Sequence, residues 1–114
     1  MKLIEQHCQP VKAGDVPLSA DKVNELKREI PQWMMKDKQI EREFTFKDFR
    51  EAMTFVNKEA DLAEEQGHHP DLCIYYNRVH LAFYTHKIGG LSQNDFIMAA
   101  KTDLLVSQQA RVGG

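Results

Sequence analysis

Apolar positions along the chain fall into alternating helix-like and strand-like blocks. In "LSADKVNELKREIP", Val23, Leu26 and Ile30 recur at helical spacing. Ser19 is placed as the N-cap, Asp21 complements the dipole in the first turn, and Pro31 stops the run. "WMMKDKQIEREFTF" reads as two short strands joined at Asp37-Lys38. Ile40, Arg42, Phe44 and Phe46 share one face of the second strand, with Arg42 interrupting an otherwise apolar row. A longer helix is predicted from about Lys47 or Asp48 to Gln66, with a stripe of Phe49, Ala52, Met53, Val56, Ala60 and Ala63. Gly67 suits the left-handed residue that ends a helix, and Pro70 prevents its resumption. "LCIYY" and "VHLAFYTH" then form a second hairpin turning at Asn77-Arg78. A last helix begins near "LSQND" with Ser92 as N-cap and carries Phe96, Ile97, Ala100, Leu104 and Leu105.

Hairpins separated by a helix predict an α+β fold. The expected architecture is a four-stranded antiparallel sheet with three helices packed on one face, in the order α-β-β-α-β-β-α. The whole chain, 1–114, is read as a single domain in which residues 1–17, with Pro10, Gly14 and Pro17, form an irregular arm. Such a sheet leaves an open face and two edges, for which a homodimer or homotetramer is an economical remedy.

Composition narrows the class. Hydrophobic residues make up 42% and charged residues 28% of 114, the balance of an ordinary globular protein. A formal net charge of −2 supplies no field that would draw the chain to nucleic acid or to an anionic membrane. No apolar run approaches the roughly 20 residues that span a bilayer, and "MKLIEQHCQPVK" is too short and polar for a secretory segment. A cytoplasmic location is expected. The two cysteines, Cys8 and Cys73, are expected as reduced thiols, and Cys8 beside His7 is only a weak hint of a metal pair.

The candidate chemistry lies between Glu64 and Asp95, where four of the five histidines occur. His80, Ala82, Tyr84 and His86 share one face of the predicted strand, and Val79, Leu81, Phe83 and Thr85 share the apolar other. His68 and His69 follow the end of the second helix, one turn beyond Glu64. Three readings compete: surface histidines that happen to cluster; a metal site using His68, His69 and His86 with Glu64 or Asp95; and general acid–base chemistry. The metal reading lacks an H-E-x-x-H or paired-cysteine motif. A nucleophilic mechanism lacks a serine or cysteine in an activating context. Proton transfer without a covalent intermediate, as in elimination or hydration, fits the residue types best.

At these positions the sequence resembles a known family. The spacing Glu64-x3-His68-His69-Pro70-x5-Tyr76-x9-His86-x8-Asp95 is similar to the signature of the pterin-4a-carbinolamine dehydratases. "FTFKDFREAMTFV" and the "GLS..D" run into the last helix are similar as well, so that the resemblance covers about Ser19 to Ser107. It implies removal of water from 4a-hydroxytetrahydrobiopterin to give quinonoid dihydrobiopterin, in the recycling of the pterin used by aromatic amino acid hydroxylases. It further implies His68, His69 and His86 as catalytic, and Glu64, Tyr84, Thr85 and Asp95 as substrate-binding. No metal or organic cofactor is implied, because the pterin is itself the substrate. His80 lies outside the motif and is expected to be a sheet-face or interface residue. The chain departs from the family's common pattern at Gly67, often Asp or Asn, and at Leu72, often Trp. Animal members also act as dimerisation cofactors of a homeodomain transcription factor, which leaves a binding role, or a non-catalytic pterin-binding one, as the alternative. The resemblance leaves open a place in a molybdopterin pathway.

Overall fold

The computed structural model describes residues 1–113. Helix α1 spans Ala20–Lys27, strand β1 Met34–Lys36, β2 Gln39–Thr45, α2 Phe49–Gln66, β3 Asp71–Tyr75, β4 Arg78–Phe83 and α3 Gln93–Gly113. The strands form one antiparallel sheet in the order β1-β2-β4-β3. The expected α+β order is thus the observed one. Ser19 caps α1 as expected, its hydroxyl accepting from the Lys22 N–H. That helix ends at Lys27, earlier than the spacing to Ile30 implied, and tighter backbone bonds carry the chain through Arg28, Glu29 and Ile30 to Pro31.

One face of the sheet presents Ile40, Phe44, Val79, Leu81 and Phe83 to the helices, all buried. Trp33 is fully buried and packs on Phe44 and Phe83, with ring centroids 6.1 and 5.6 Å away. Arg42, the break in the apolar row, stays on this face by lying 4.4 Å over the Phe44 ring and donating to Asp103 Oδ1 at 2.7 Å. Its aliphatic stem thereby covers core while its charge reaches a partner on α3. Burial pushes the Asp103 carboxyl upward, and the Trp33 indole N–H and Arg42 pull against that rise.

The long helix starts at Asp48, whose Oδ1 accepts from the Glu51 N–H at 2.8 Å. Replacing Asp48 by Ala should therefore cost about 1 kcal/mol, read as a lower urea midpoint with an unchanged slope. The buried stripe of α2 differs from the expected one. Ala52, Phe55, Glu59 and Ala63 face the core, whereas Phe49 and Ala60 are exposed. Phe55 sets this rotation by packing on both Phe44 and Phe46, at 5.4 and 5.2 Å. It carries the polar Glu59 inward, where Thr102 donates to Glu59 Oε1 at 2.8 Å. On α3 the expected Leu104 is 40% exposed, while Met98, Ala99 and Thr102 are buried.

Two local expectations need correction. The second hairpin turns at Tyr76-Asn77, one residue early, with Tyr76 at φ 52. Asn77 is the second turn residue rather than the first, tied there by its amide donating to the Phe46 carbonyl and its own carbonyl accepting the Phe46 N–H. His80 and His86 also do not share a strand. Strand β4 ends at Phe83, Thr85 pairs with Gly90, and His86 opens a short 3-10 turn, His86–Ile88, that closes on Gly89 at φ 64. Glycine adopts that left-handed conformation at little cost, so the chain doubles back before strand parity can reach His86.

Candidate active site

Gly67 ends α2 in the left-handed conformation (φ 69), and the Gly67 and His68 N–H groups both donate to the Ala63 carbonyl. This sharp stop delivers His68 and His69 to a cleft of about 560 Å³ beside the sheet. His68 is largely buried and stacks near Phe83, with centroids 6.2 Å apart and ring planes 16° from parallel. Its Nε2–H donates to Asp95 Oδ1 at 2.6 Å. The other oxygen of Asp95 accepts from the Thr85 hydroxyl at 2.7 Å and the Ser92 N–H at 2.9 Å. Three donors on a fully buried carboxylate satisfy it and fix the His68 ring in orientation and tautomer.

The bond from Ser92 also explains where α3 starts. An acidic side chain in the first turn reaches back to the N–H of the residue before the helix, half of a capping box. The other half is altered, because the Ser92 hydroxyl meets Thr85 Oγ1 at 2.8 Å. Asp95 thus serves the helix and the histidine together.

His69 and His86 stand at the rim and are exposed. The His69 Nε2–H donates to Glu64 Oε2 at 2.6 Å, and Glu64 is 79% exposed. His86 meets Tyr84 edge-on, at 4.6 Å and 90°. His68, His69, His86, Tyr84 and Thr85 all line the cleft; Asp95 stands buried behind His68, and Glu64 lies exposed beside His69, outside the lining. Asp95 therefore reaches a ligand only through His68, and the Thr85 hydroxyl is committed to Asp95 and Ser92. His80 lies apart, on the open face of the sheet, with its Nε2 3.5 Å from Glu41 Oε1. Among the described residues, no three His, Cys, Asp or Glu side chains form a group able to hold a metal ion. No described helix is long and apolar enough to cross a membrane.

Sequence reasoning missed one side of the cleft. The segment Cys8–Val11 of the arm lines it, together with Gln66, Lys87 and Asn94. No periodicity marks an irregular segment. The only available signal was that these polar residues stand one or two positions from His68, His86 and Asp95. His7 and Cys8 do not act as a pair: His7 Nδ1 lies 3.3 Å from Gln66 Nε2, and the Cys8 thiol donates to the Asn94 carbonyl. Burial pushes that thiol up to about 11, away from the thiolate that a metal would require.

Comparison with known proteins agrees with the motif. The family model described as Pterin 4 alpha carbinolamine dehydratase matches residues 16–105. A relative from Rubrobacter xylanophilus, named after the same dehydratase, is 45% identical over 105 residues, which is 91% of this chain and 98% of its own. One from Alkaliphilus metalliredigens, also named after it, is 45% identical over 106 residues, 89% of this chain and 93% of its own. A crystal structure from Brucella melitensis, described as "transcriptional coactivator/pterin dehydratase", shares the fold with a TM-score of 0.74 at 35% identity, covering 78% of this chain and 97% of that one. The chain belongs to the pterin 4 alpha carbinolamine dehydratase family.

Proposed function

We propose that this protein removes water from 4a-hydroxytetrahydrobiopterin to give quinonoid dihydrobiopterin by histidine general acid–base catalysis. The observation that carries the reading is the Thr85–Asp95–His68 chain in the wall of a cleft whose rim holds His69 and His86. In the reaction, the N5 proton passes to a base and the electron pair of the N5–H bond forms the C4a=N5 double bond. The C4a–O bond breaks as the hydroxyl takes a proton and leaves as water. Imidazole can serve both steps near neutral pH. His69 and His86 flank the reacting centre. His68, gripped at Nε2 by Asp95, uses its other nitrogen as the partner acid or base. Glu64 is exposed beside His69 and suited to accept from the amino and imide N–H groups of the pterin.

In a cell this activity would return pterin to an aromatic amino acid hydroxylase, in the cytoplasm, with the protein working as a homodimer or homotetramer and the pterin as substrate rather than cofactor. The test is direct. Carbinolamine is generated in situ and its loss is followed with and without the protein, since only acceleration over spontaneous dehydration counts. A clear acceleration at micromolar protein is expected, and a progress curve matching the spontaneous one would overturn the proposal. Stoichiometric zinc or iron in the purified protein would favour a metal-dependent reaction instead.

A second reading, a dimerisation cofactor in transcription, draws on the description of the Brucella protein. It leaves the buried His68–Asp95 pair without a task, and so ranks below catalysis.

A further inference from the structure

The arm before α1 is held to the fold in two stretches. Near its start, Leu3 is fully buried, its N–H donates to Glu29 Oε1, and Lys101 donates to the Ile4 carbonyl. These contacts alone would anchor the first residues of the arm. A second set binds Cys8–Val11 over the cleft, and each of its three anchors neighbours a site residue in sequence. Gln66, two before His68, accepts the Cys8 N–H at 2.8 Å. Asn94, immediately before Asp95, accepts the Gln9 N–H at 2.9 Å and donates to the Gln9 carbonyl at 2.7 Å. Lys87, immediately after His86, reaches the Val11 carbonyl at 3.5 Å.

The Asn94 clasp matters most. Its amide is buried, and it meets one residue's N–H and C=O together, as a neighbouring strand would. The paired bonds hold the arm in one register against α3, each adding the modest net stabilisation of a hydrogen bond exchanged with water. The backbone groups of Cys8, Gln9 and Val11 are thereby turned to the protein, and the segment adds the Pro10 and Val11 side chains to the cleft lining. Apolar, conformationally restricted side chains of this kind suit the flat face of a heteroaromatic ring and exclude water from it. The arm falls outside residues 16–105, the part of the chain that the family model matches.

From this geometry we infer that Cys8–Val11 is a substrate-positioning wall, clamped by Gln66, Asn94 and Lys87, and that Pro10 and Val11 help to select a planar bicyclic ligand. The inference rests on the dehydratase reading of the cleft, and the arm residues are positioning residues that take no part in proton transfer.

The test uses the full chain with two variants. Asn94→Leu releases the clasp at similar size, and the double substitution Pro10→Ala/Val11→Ala trims the wall while leaving the clamps in place. Asn94→Leu is expected to raise KM roughly tenfold while kcat stays within about twofold, and the double variant to raise KM by about threefold, in keeping with lost apolar contact. Equilibrium binding of 7,8-dihydrobiopterin, followed by pterin fluorescence, should weaken in parallel. A purely structural arm would lower Tm and leave KM and pterin affinity alone. Should Asn94→Leu fail to fold, the double variant decides. If wild type dehydrates and binds pterin while the folded variants match it in KM and affinity, the wall is refuted and the dehydratase reading stands. If wild type neither accelerates dehydration nor binds pterin, both fall.

Discussion

Replacing His68 by Ala should lower kcat for carbinolamine dehydration by roughly two to four orders of magnitude, the range that a positioned acid or base contributes. Among the three motif histidines its ring is the one held by a buried partner, and a ring so fixed needs no reorientation when the proton moves. The substitution also leaves Asp95 with one donor fewer, so its fold should be checked by circular dichroism before kinetics are read. Asp95→Asn is the sharper companion. It preserves shape, but an amide can offer an N–H where His68 needs an acceptor, turning the ring to the wrong tautomer. Its kcat should fall in the same direction with KM little changed, the mark of an interaction made in the transition state. His69→Ala and His86→Ala should fall in the same range wherever those rings transfer protons. Three folded histidine variants with full turnover would end the acid–base assignment.

Exchanging Glu59 for Gln should stabilise the protein in mildly alkaline solution by on the order of 3 kcal/mol and flatten its stability between pH 5 and 7. Glu59 has no exposed surface, and burial raises its pKa from 4.5 to about 7 against the opposing pull of the Thr102 hydroxyl. Over that interval the folded state keeps a proton that the unfolded state has released. Stability contributed at Glu59 is therefore fully present below about pH 4.5 and declines as pH rises to about 7, above which the loss is complete. Among the described residues its Oε2 has no hydrogen-bond partner, so the single bond from Thr102 to Oε1 only partly compensates the charge once it forms. Glutamine keeps the acceptor for Thr102 without ionising. Urea unfolding of both proteins at pH 5 and pH 8 measures the difference. Parallel pH profiles for wild type and Glu59→Gln would show that the carboxylate is not the source.

The elements that were legible in the sequence are those in which local spacing and packing agree. The Ser19 cap, the Gly67 stop and the Asp37-Lys38 turn are each set by residues within a few positions, and each was read correctly. The stripe of α2 was misjudged because Ala and Met tolerate either side, whereas the contact of Phe55 with two rings from β2 and its following residue is a tertiary fact. The polar Glu59 then entered the core because helical geometry carries it in with Phe55. His86 was misplaced because alternation was extended through Thr85, although Gly89-Gly90 already offered a turn. The histidines of the site were legible as a spaced motif. What they do to one another was not: that Asp95 stands behind His68, and that Thr85 serves Asp95, depends on where α3 docks against the loop after β4. The arm left no pattern because its bonds are made to side-chain amides far along the chain.

Those amides also govern when the cleft can exist during synthesis. Cys8 and Gln9 leave the ribosome before their partners, which follow 58 and 85 residues later. At roughly 10 residues per second the segment waits on the order of ten seconds, exposed, before Asn94 emerges. The hairpins and α2 can pair in that interval, since their contacts are already made available, but the cleft then has His68 without Asp95 and one side open. Closing such long loops is slow relative to local pairing. A chain arrested before α3 would thus lack both Asp95, the partner of His68, and Asn94, the clasp of the arm, and the candidate site would be completed only when that last helix docks.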